Sequence, residues 1–202
     1  MLIIHHRVND LAKLAGTPPA AGVEMDLHAY GDRLVVHHDP CREGLDFNEW
    51  LAAFRHAFII FNIKEEGIER EVRDRAVAAG IERFFMLDLS FPALIKMARL
   101  GERRLAVRVS EYEPIQQALL LAEMVDWVWL DVFFGFPISR AEAHALRAAG
   151  LKLCLVSPEL HGREVEEIAE MQNRMARDGL AMDAVCTKRP DLWQTVDGRR
   201  QG

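Results

Sequence analysis

Apolar residues fall in short runs separated by amphipathic stretches along nearly the whole chain. The runs predict strands over residues 2–6, 22–27, 57–63, 83–89, 105–109, 126–132, 151–156 and 183–187. Most are continuous, as in Phe58-Ile59-Ile60-Phe61 and Trp127-Val128-Trp129-Leu130. That pattern belongs to strands covered on both faces of a parallel sheet. Helical periodicity fills the gaps. Asp46 is placed to cap a helix whose Phe47, Trp50, Leu51 and Phe54 share a face. Ser139 and Glu142 have capping-box spacing and open a helix that ends near Gly150. Residues 66–79 and 162–178 are amphipathic, and Ser90 before Pro92 marks another helix start.

Eight such alternations in 202 residues predict one domain, 1–202, folded as a compact (β/α)8 TIM barrel of the α/β class. A doubly wound open sheet has the same periodicity and is the alternative. A ninth apolar run, 34–38, follows the second strand after only Tyr30-Gly31-Asp32. That turn cannot hold a crossover helix, so the run is expected to fold back as a β-hairpin excursion. Gly16, Pro18 and Pro19 make the first connection, 9–21, poor in helix.

Half of the residues are apolar and 28% are charged, an ordinary globular composition. A net charge of −6 with no Lys/Arg block argues against nucleic acid as a partner. The short basic tail Arg199-Arg200 reads as solvated. Cys41, Cys154 and Cys186 have no paired spacing, which predicts free thiols in a reducing compartment. Leu2-Ile3-Ile4 is too short for a signal segment or a membrane span, so the expected location is cytoplasmic. Trp127, Trp129, Phe133, Phe134 and Phe136 are expected in the core.

Polar residues concentrate at the carboxyl ends of the predicted strands, where an α/β barrel binds its ligands. The first strand ends in His5-His6-Arg7, the second carries Glu24 and Asp26 on one face, and the hairpin run ends in His37-His38-Asp39. Strand three ends in Asn62 and Lys64. Later strands bring Asp88, Arg108, Glu111, Asp131, Glu159 and Lys188 to the same rim. Alternation sets His5 and His37 on the face opposite their neighbours, as packing residues. Taken singly, Asp88, Glu111, Asp131 and Glu159 fit helix capping or a solvated junction equally well. Together, two histidines, paired carboxylates, Arg7 and Lys64 are costly to gather without a ligand. The set suits phosphate chemistry: hard oxygen ligands for Mg²⁺ or Ca²⁺, cations for phosphoryl oxygens, and two proton carriers.

In this order, His6-Arg7, Glu24-Met25-Asp26, Val35-Val36-His37-His38-Asp39, Asn62-Ile63-Lys64, Leu89-Ser90-Phe91 and Cys186-Thr187-Lys188-Arg189-Pro190 resemble the glycerophosphodiester phosphodiesterases nearly end to end. The resemblance implies a (β/α)8 barrel and a metal-dependent phosphodiesterase acting on a small phosphodiester. It implies His6 and His38 as the acid/base pair, Glu24, Asp26 and Asn62 around Mg²⁺ or Ca²⁺, and Arg7 and Lys64 on the phosphate. The outcome would be hydrolysis or a cyclic phosphate. Three departures stand out. Asn62 replaces a carboxylate, which should weaken metal binding unless Asp88, Glu111, Asp131 or Glu159 assists. Val8 replaces a glycine. Residues 46–56 leave room for one helix and no inserted subdomain. Two other readings remain: a degenerate barrel that binds a phosphorylated ligand or a partner without turnover, favoured by Asn62, and a histidine-rich phosphatase, which would want His-x-His spacing.

Overall fold

The computed structural model describes residues 1–194, so Arg199 and Arg200 lie outside the described residues. Eight parallel strands form a curled sheet: β1 (Leu2–His5), β2 (Gly22–Tyr30), β5 (Phe58–Ile63), β6 (Phe84–Leu87), β7 (Ala106–Val109), β8 (Trp127–Leu130), β9 (Lys152–Val156) and β10 (Ala184–Thr187). Strand β2 runs on past the sheet and turns back as β3 (Arg33–Val36), pairing Leu27 with Val36 and Tyr30 with Arg33. A two-residue strand, β4 (Leu45–Asp46), extends this antiparallel excursion.

Ladders join every neighbouring pair round the sheet except β6 and β7. That junction has one parallel bridge, Met86 to Leu105, with the Met86 N–H donating to the Arg104 carbonyl at 2.9 Å. The sheet is therefore curled and barrel-like, with a seam at β6–β7.

The strands' period-two alternation divides their side chains between two apolar layers. Ile4, Phe58, Ile60, Phe85, Trp127, Trp129, Cys154, Val156, Ala184 and Cys186 fill the inside of the curl. The intervening positions, among them Val23, Met25, Ile59, Phe61, Val128 and Val185, pack outward against the helices. Space inside is tight at the amino ends. A Cβ on Gly22 would lie 2.9 Å from Ile4 Cγ1 and 3.3 Å from Phe58 Cβ, so only glycine fits.

The helices cover the outer layer: α1 (Leu11–Gly16), α2 (Phe47–Ala53), α3 (Glu69–Ala78), α4 (Phe91–Arg99), α5 (Ile115–Leu120), α6 (Arg140–Ala148), α7 (Glu167–Asp178) and α8 (Pro190–Trp193). Asp46 caps α2, Ser90 caps α4, and Ser139 with Glu142 forms the full capping box of α6. The first connection does hold a helix, the six-residue α1, because Asp10 accepts from the Lys13 N–H and starts it before Gly16 and Pro18 intervene. Helix α7 starts at Glu167 instead of near Gly162. Gly162 sits at φ +74° and ends a separate 3-10 turn, Pro158–His161. Trp127 and Trp129 are buried as expected, whereas Phe134 is 64% exposed. Cys154 and Cys186 are buried free thiols and Cys41 is an exposed one. Among the described residues no helix is long and apolar enough to cross a membrane.

Candidate active site

The inward-facing parity that builds the apolar interior, continued to the carboxyl ends of the strands, places the polar side chains. Ile4 leads to His6, Gly22 to Glu24 and Asp26, and Phe58 and Ile60 to Asn62 and Lys64. On the far side Ala106 leads to Arg108 and Trp129 to Asp131. The parallel register sets Asp26 directly opposite Asn62.

Glu24 is fully buried. Its Oε2 accepts the Arg7 backbone N–H at 2.7 Å and lies 3.8 Å from His6 Nε2, while its Oε1 accepts Asn62 Nδ2 at 2.9 Å. Burial and the neighbouring Asp26 carboxylate push its pKa up to about 7, against the lowering effect of these hydrogen bonds and of Lys64. Asp26 Oδ2 accepts Asn9 Nδ2 at 2.8 Å, and Lys64 Nζ lies 3.3 Å from Oδ1. His6 is lowered to about 3, first by burial and then by the positive charges of Arg7, Lys188, Lys13 and Lys64. At neutral pH its ring is therefore uncharged.

Arg7 occupies the left-handed region at φ +52°, a conformation L residues rarely adopt. Lys13 Nζ holds the turn by donating to the carbonyls of His6 and Arg7, both at 2.6 Å. Val8 is fully buried, and its carbonyl accepts Trp50 Nε1 at 2.9 Å. The strained residue of this loop is thus Arg7, and Val8 is anchored in the core. The Arg7 guanidinium donates to His38 Nε2, and His38 Nδ1 lies 2.7 Å from Asp39 Oδ1. A carboxylate at Nδ1 and a guanidinium at Nε2 favour a ring proton on Nδ1 and a lone pair on Nε2 in this arrangement. His37 turns away, its Nδ1 accepting the Asp39 N–H at 2.9 Å.

Three buried side-chain atoms of this cluster lack hydrogen bonds: His6 Nδ1, Asn62 Oδ1 and Asp26 Oδ1, the last held only by its ion pair with Lys64. Buried polar atoms left without bonds are costly and mark a place where a ligand belongs. Among the described residues no three His, Cys, Asp or Glu side chains converge as a metal-binding group. An amide, Asn62, stands in the third place. Two unbonded oxygens beside the Glu24 carboxylate remain a donor set that suits a hard divalent cation.

The other rim candidates divide. Asp88, at φ +62°, pairs with Lys64 at 3.5 Å and with Arg108. Arg108 also pairs with buried Asp131, which accepts His161 Nε2 at 2.9 Å and Trp129 Nε1 at 3.1 Å. A chain of alternating charge thus crosses the rim from Asp26 to His161. Lys188 is exposed and contributes positive charge near His6. Glu111 and Glu159 hold the loops. Glu111 accepts the backbone N–H groups of Phe133, Phe134 and Gly135, the shortest at 2.7 Å. Glu159 accepts the Thr187 hydroxyl at 2.6 Å and the Lys188 N–H at 2.9 Å. Asn9 and His161 join the network without a sequence signal of their own. Asn9 grips Asp26 twice, accepting its N–H at 3.0 Å as well as donating to its carboxylate.

A crystal structure of a glycerophosphodiester phosphodiesterase from Agrobacterium tumefaciens str. C58 matches with a TM-score of 0.65 at 16% identity, over 95% of this chain and 97% of that one. A glycerophosphoryl diester phosphodiesterase from Parabacteroides distasonis ATCC 8503 gives a TM-score of 0.62 at 13% identity, over 95% and 84%. This chain has the fold of those phosphodiesterases. No family model matches the sequence, and neither does any curated protein. The likeness therefore lies in the backbone, and it falls on the family that the short motifs resemble.

Proposed function

We propose that the chain is a metal-dependent phosphodiesterase of the glycerophosphodiester phosphodiesterase type, built on a (β/α)8 barrel and acting on a small phosphodiester in the cytoplasm. The observation that carries this is the meeting of His6, Arg7, Glu24, Asp26, His38, Asn62 and Lys64 at one rim, with three of their buried polar atoms unbonded.

Arg7 and Lys64 bind the phosphoryl oxygens; Arg7 leaves His38 to do so. His6, held neutral, accepts the proton of the attacking water or neighbouring substrate hydroxyl. The new P–O bond forms as the bond to the departing alcohol breaks, and His38, which takes up a proton at Nε2 from solvent once Arg7 has left it, delivers that proton to the alcohol. Asp39 stabilises the imidazolium that this role requires. Glu24, Asp26 and Asn62 would hold Mg²⁺ or Ca²⁺, which supplies Lewis-acid charge to the phosphoryl group.

The test is turnover of bis(4-nitrophenyl) phosphate by metal-stripped protein, with Mg²⁺ or Ca²⁺ added back and then removed by EDTA. Turnover that follows the cation is expected; full activity in EDTA would remove the metal. A second reading, a barrel that binds without turnover, is favoured by the Asn62 amide donating to Glu24 and by Lys64 lying against Asp26. Saturable binding of the diester with no turnover under any cation would establish that reading instead.

A further inference from the structure

The β6–β7 seam does more than interrupt the ladder. Beyond the single Met86–Leu105 bridge the two strands part, and a cavity of about 300 Å³ opens between them and helices α4 and α5. Its apolar wall is Leu87, Leu89, Phe91, Leu94, Ala106 and Val107. Its polar wall is Asp88, Arg108, Glu113 and Gln117. The charges among these are engaged with one another. Arg108 pairs with Asp88, with Asp131 and, at 4.0 Å, with Glu113. An occupant therefore meets hydrocarbon on one wall and charges already paired with one another on the other.

The cavity adjoins the candidate site through one residue. Asp88 lines it and also lies 3.5 Å from Lys64, which is assigned to the phosphate. Phe91, in the cavity wall, is 53% exposed. Tyr112, next to Glu113 in the chain, is 73% exposed and packs edge-on against Phe134 at 5.6 Å. The rim therefore stays apolar outside the cavity, at loops where polar residues are the norm.

We propose that the seam cavity is the subsite for one alcohol of the phosphodiester, and that it selects an uncharged alcohol with an apolar body. This rests on the phosphodiesterase reading. A volume of about 300 Å³ is at the small end for ligand pockets and holds about ten water-sized atoms, enough for a six-carbon chain.

The experiment compares methyl 4-nitrophenyl phosphate with hexyl 4-nitrophenyl phosphate, which share a leaving group and differ only in the retained alcohol. The wild type is expected to favour the hexyl diester by at least about tenfold in kcat/KM, from burial of the added methylenes. Gln117→Trp, made on the exposed edge of α5, fills the mouth and should bring that ratio close to one. Equal use of both diesters by the wild type, or an unchanged preference in Gln117→Trp, overturns the proposal. Dissociation constants of the two diesters, measured by calorimetry, keep the two failures apart. If neither diester is cleaved, the phosphodiesterase reading fails. Tighter hexyl binding that Gln117→Trp abolishes would then still locate the subsite, and equal binding would dismiss it.

Discussion

At the scale of residues, the site is set by parity. His6, Glu24, Asp26, Asn62 and Lys64 were legible because strand side chains alternate and the apolar runs beneath them fix which face is inside. Asn9 was not, since an Asn in a loop has many uses, and only the fold brings it to Asp26 across the β1–α1 turn. His161 was missed for a related reason: it falls between the run 151–156 and the amphipathic stretch 162–178, in a connection that only the fold shows to be a 3-10 turn ended by the left-handed Gly162. Asn62 is the residue whose consequence is most specific. With Arg7 and Lys64 facing Glu24 and Asp26, the cluster's formal charges are balanced before any cation arrives. Asn62→Glu adds the missing negative charge. It should tighten Mg²⁺ or Ca²⁺ binding by roughly tenfold in a calorimetric titration. Unchanged affinity would show that position 62 does not face the ion.

Elements are where the sequence reading both succeeded and fell short. The caps at Asp46, Ser90 and Ser139 were legible from side-chain chemistry alone. The exposure of Phe134 was not, because nothing in an aromatic run says that a rim loop will carry it outward. That loop is held by Glu111, whose carboxylate accepts three backbone N–H groups on the β8–α6 connection. Burial pushes its pKa up, but the N–H groups of Phe134, Glu111 itself, Gly135 and Phe133 outweigh it and hold the group below the ordinary glutamate value of 4.5. A depressed pKa means that the unfolded chain binds the proton more tightly. The stabilisation is then fully present above pH 4.5 and lost as pH falls through the lower folded value. Glu111→Gln should lower the melting temperature at pH 7 by about 2–4 °C, and that difference should shrink below pH 4.5. A difference that stays constant down to pH 3 would mean the charge of Glu111 contributes nothing to the loop.

For the whole molecule, β/α alternation announced the architecture, but the same apolar runs that predict β6 and β7 give no hint that their pairing nearly fails. Closure depends on long-range register, and a short, mostly buried run looks alike in a full ladder or beside a seam. The sheet should open there first. Native-state hydrogen exchange is expected to show the amides of β6 exchanging ahead of those in β2 and β5, which share six paired positions. Uniform protection round the sheet would mean that the side chains of Arg108, Asp88 and Asp131 close the seam as firmly as a ladder.

The proposed reaction requires His38 to pass a proton to the departing alcohol. That is tested most directly by kcat of His38→Ala on two phosphodiesters, one leaving as an alkoxide and one as 4-nitrophenoxide, which needs little help from an acid. His38 is partly exposed, with 41% of its side chain accessible, so the variant should keep its melting temperature. The prediction is a fall of about 10²–10⁴-fold on the alkyl diester and a much smaller one on the nitrophenyl diester. Normal turnover on both, or equal losses on both, would contradict the role assigned to His38 and with it the mechanism built around this rim.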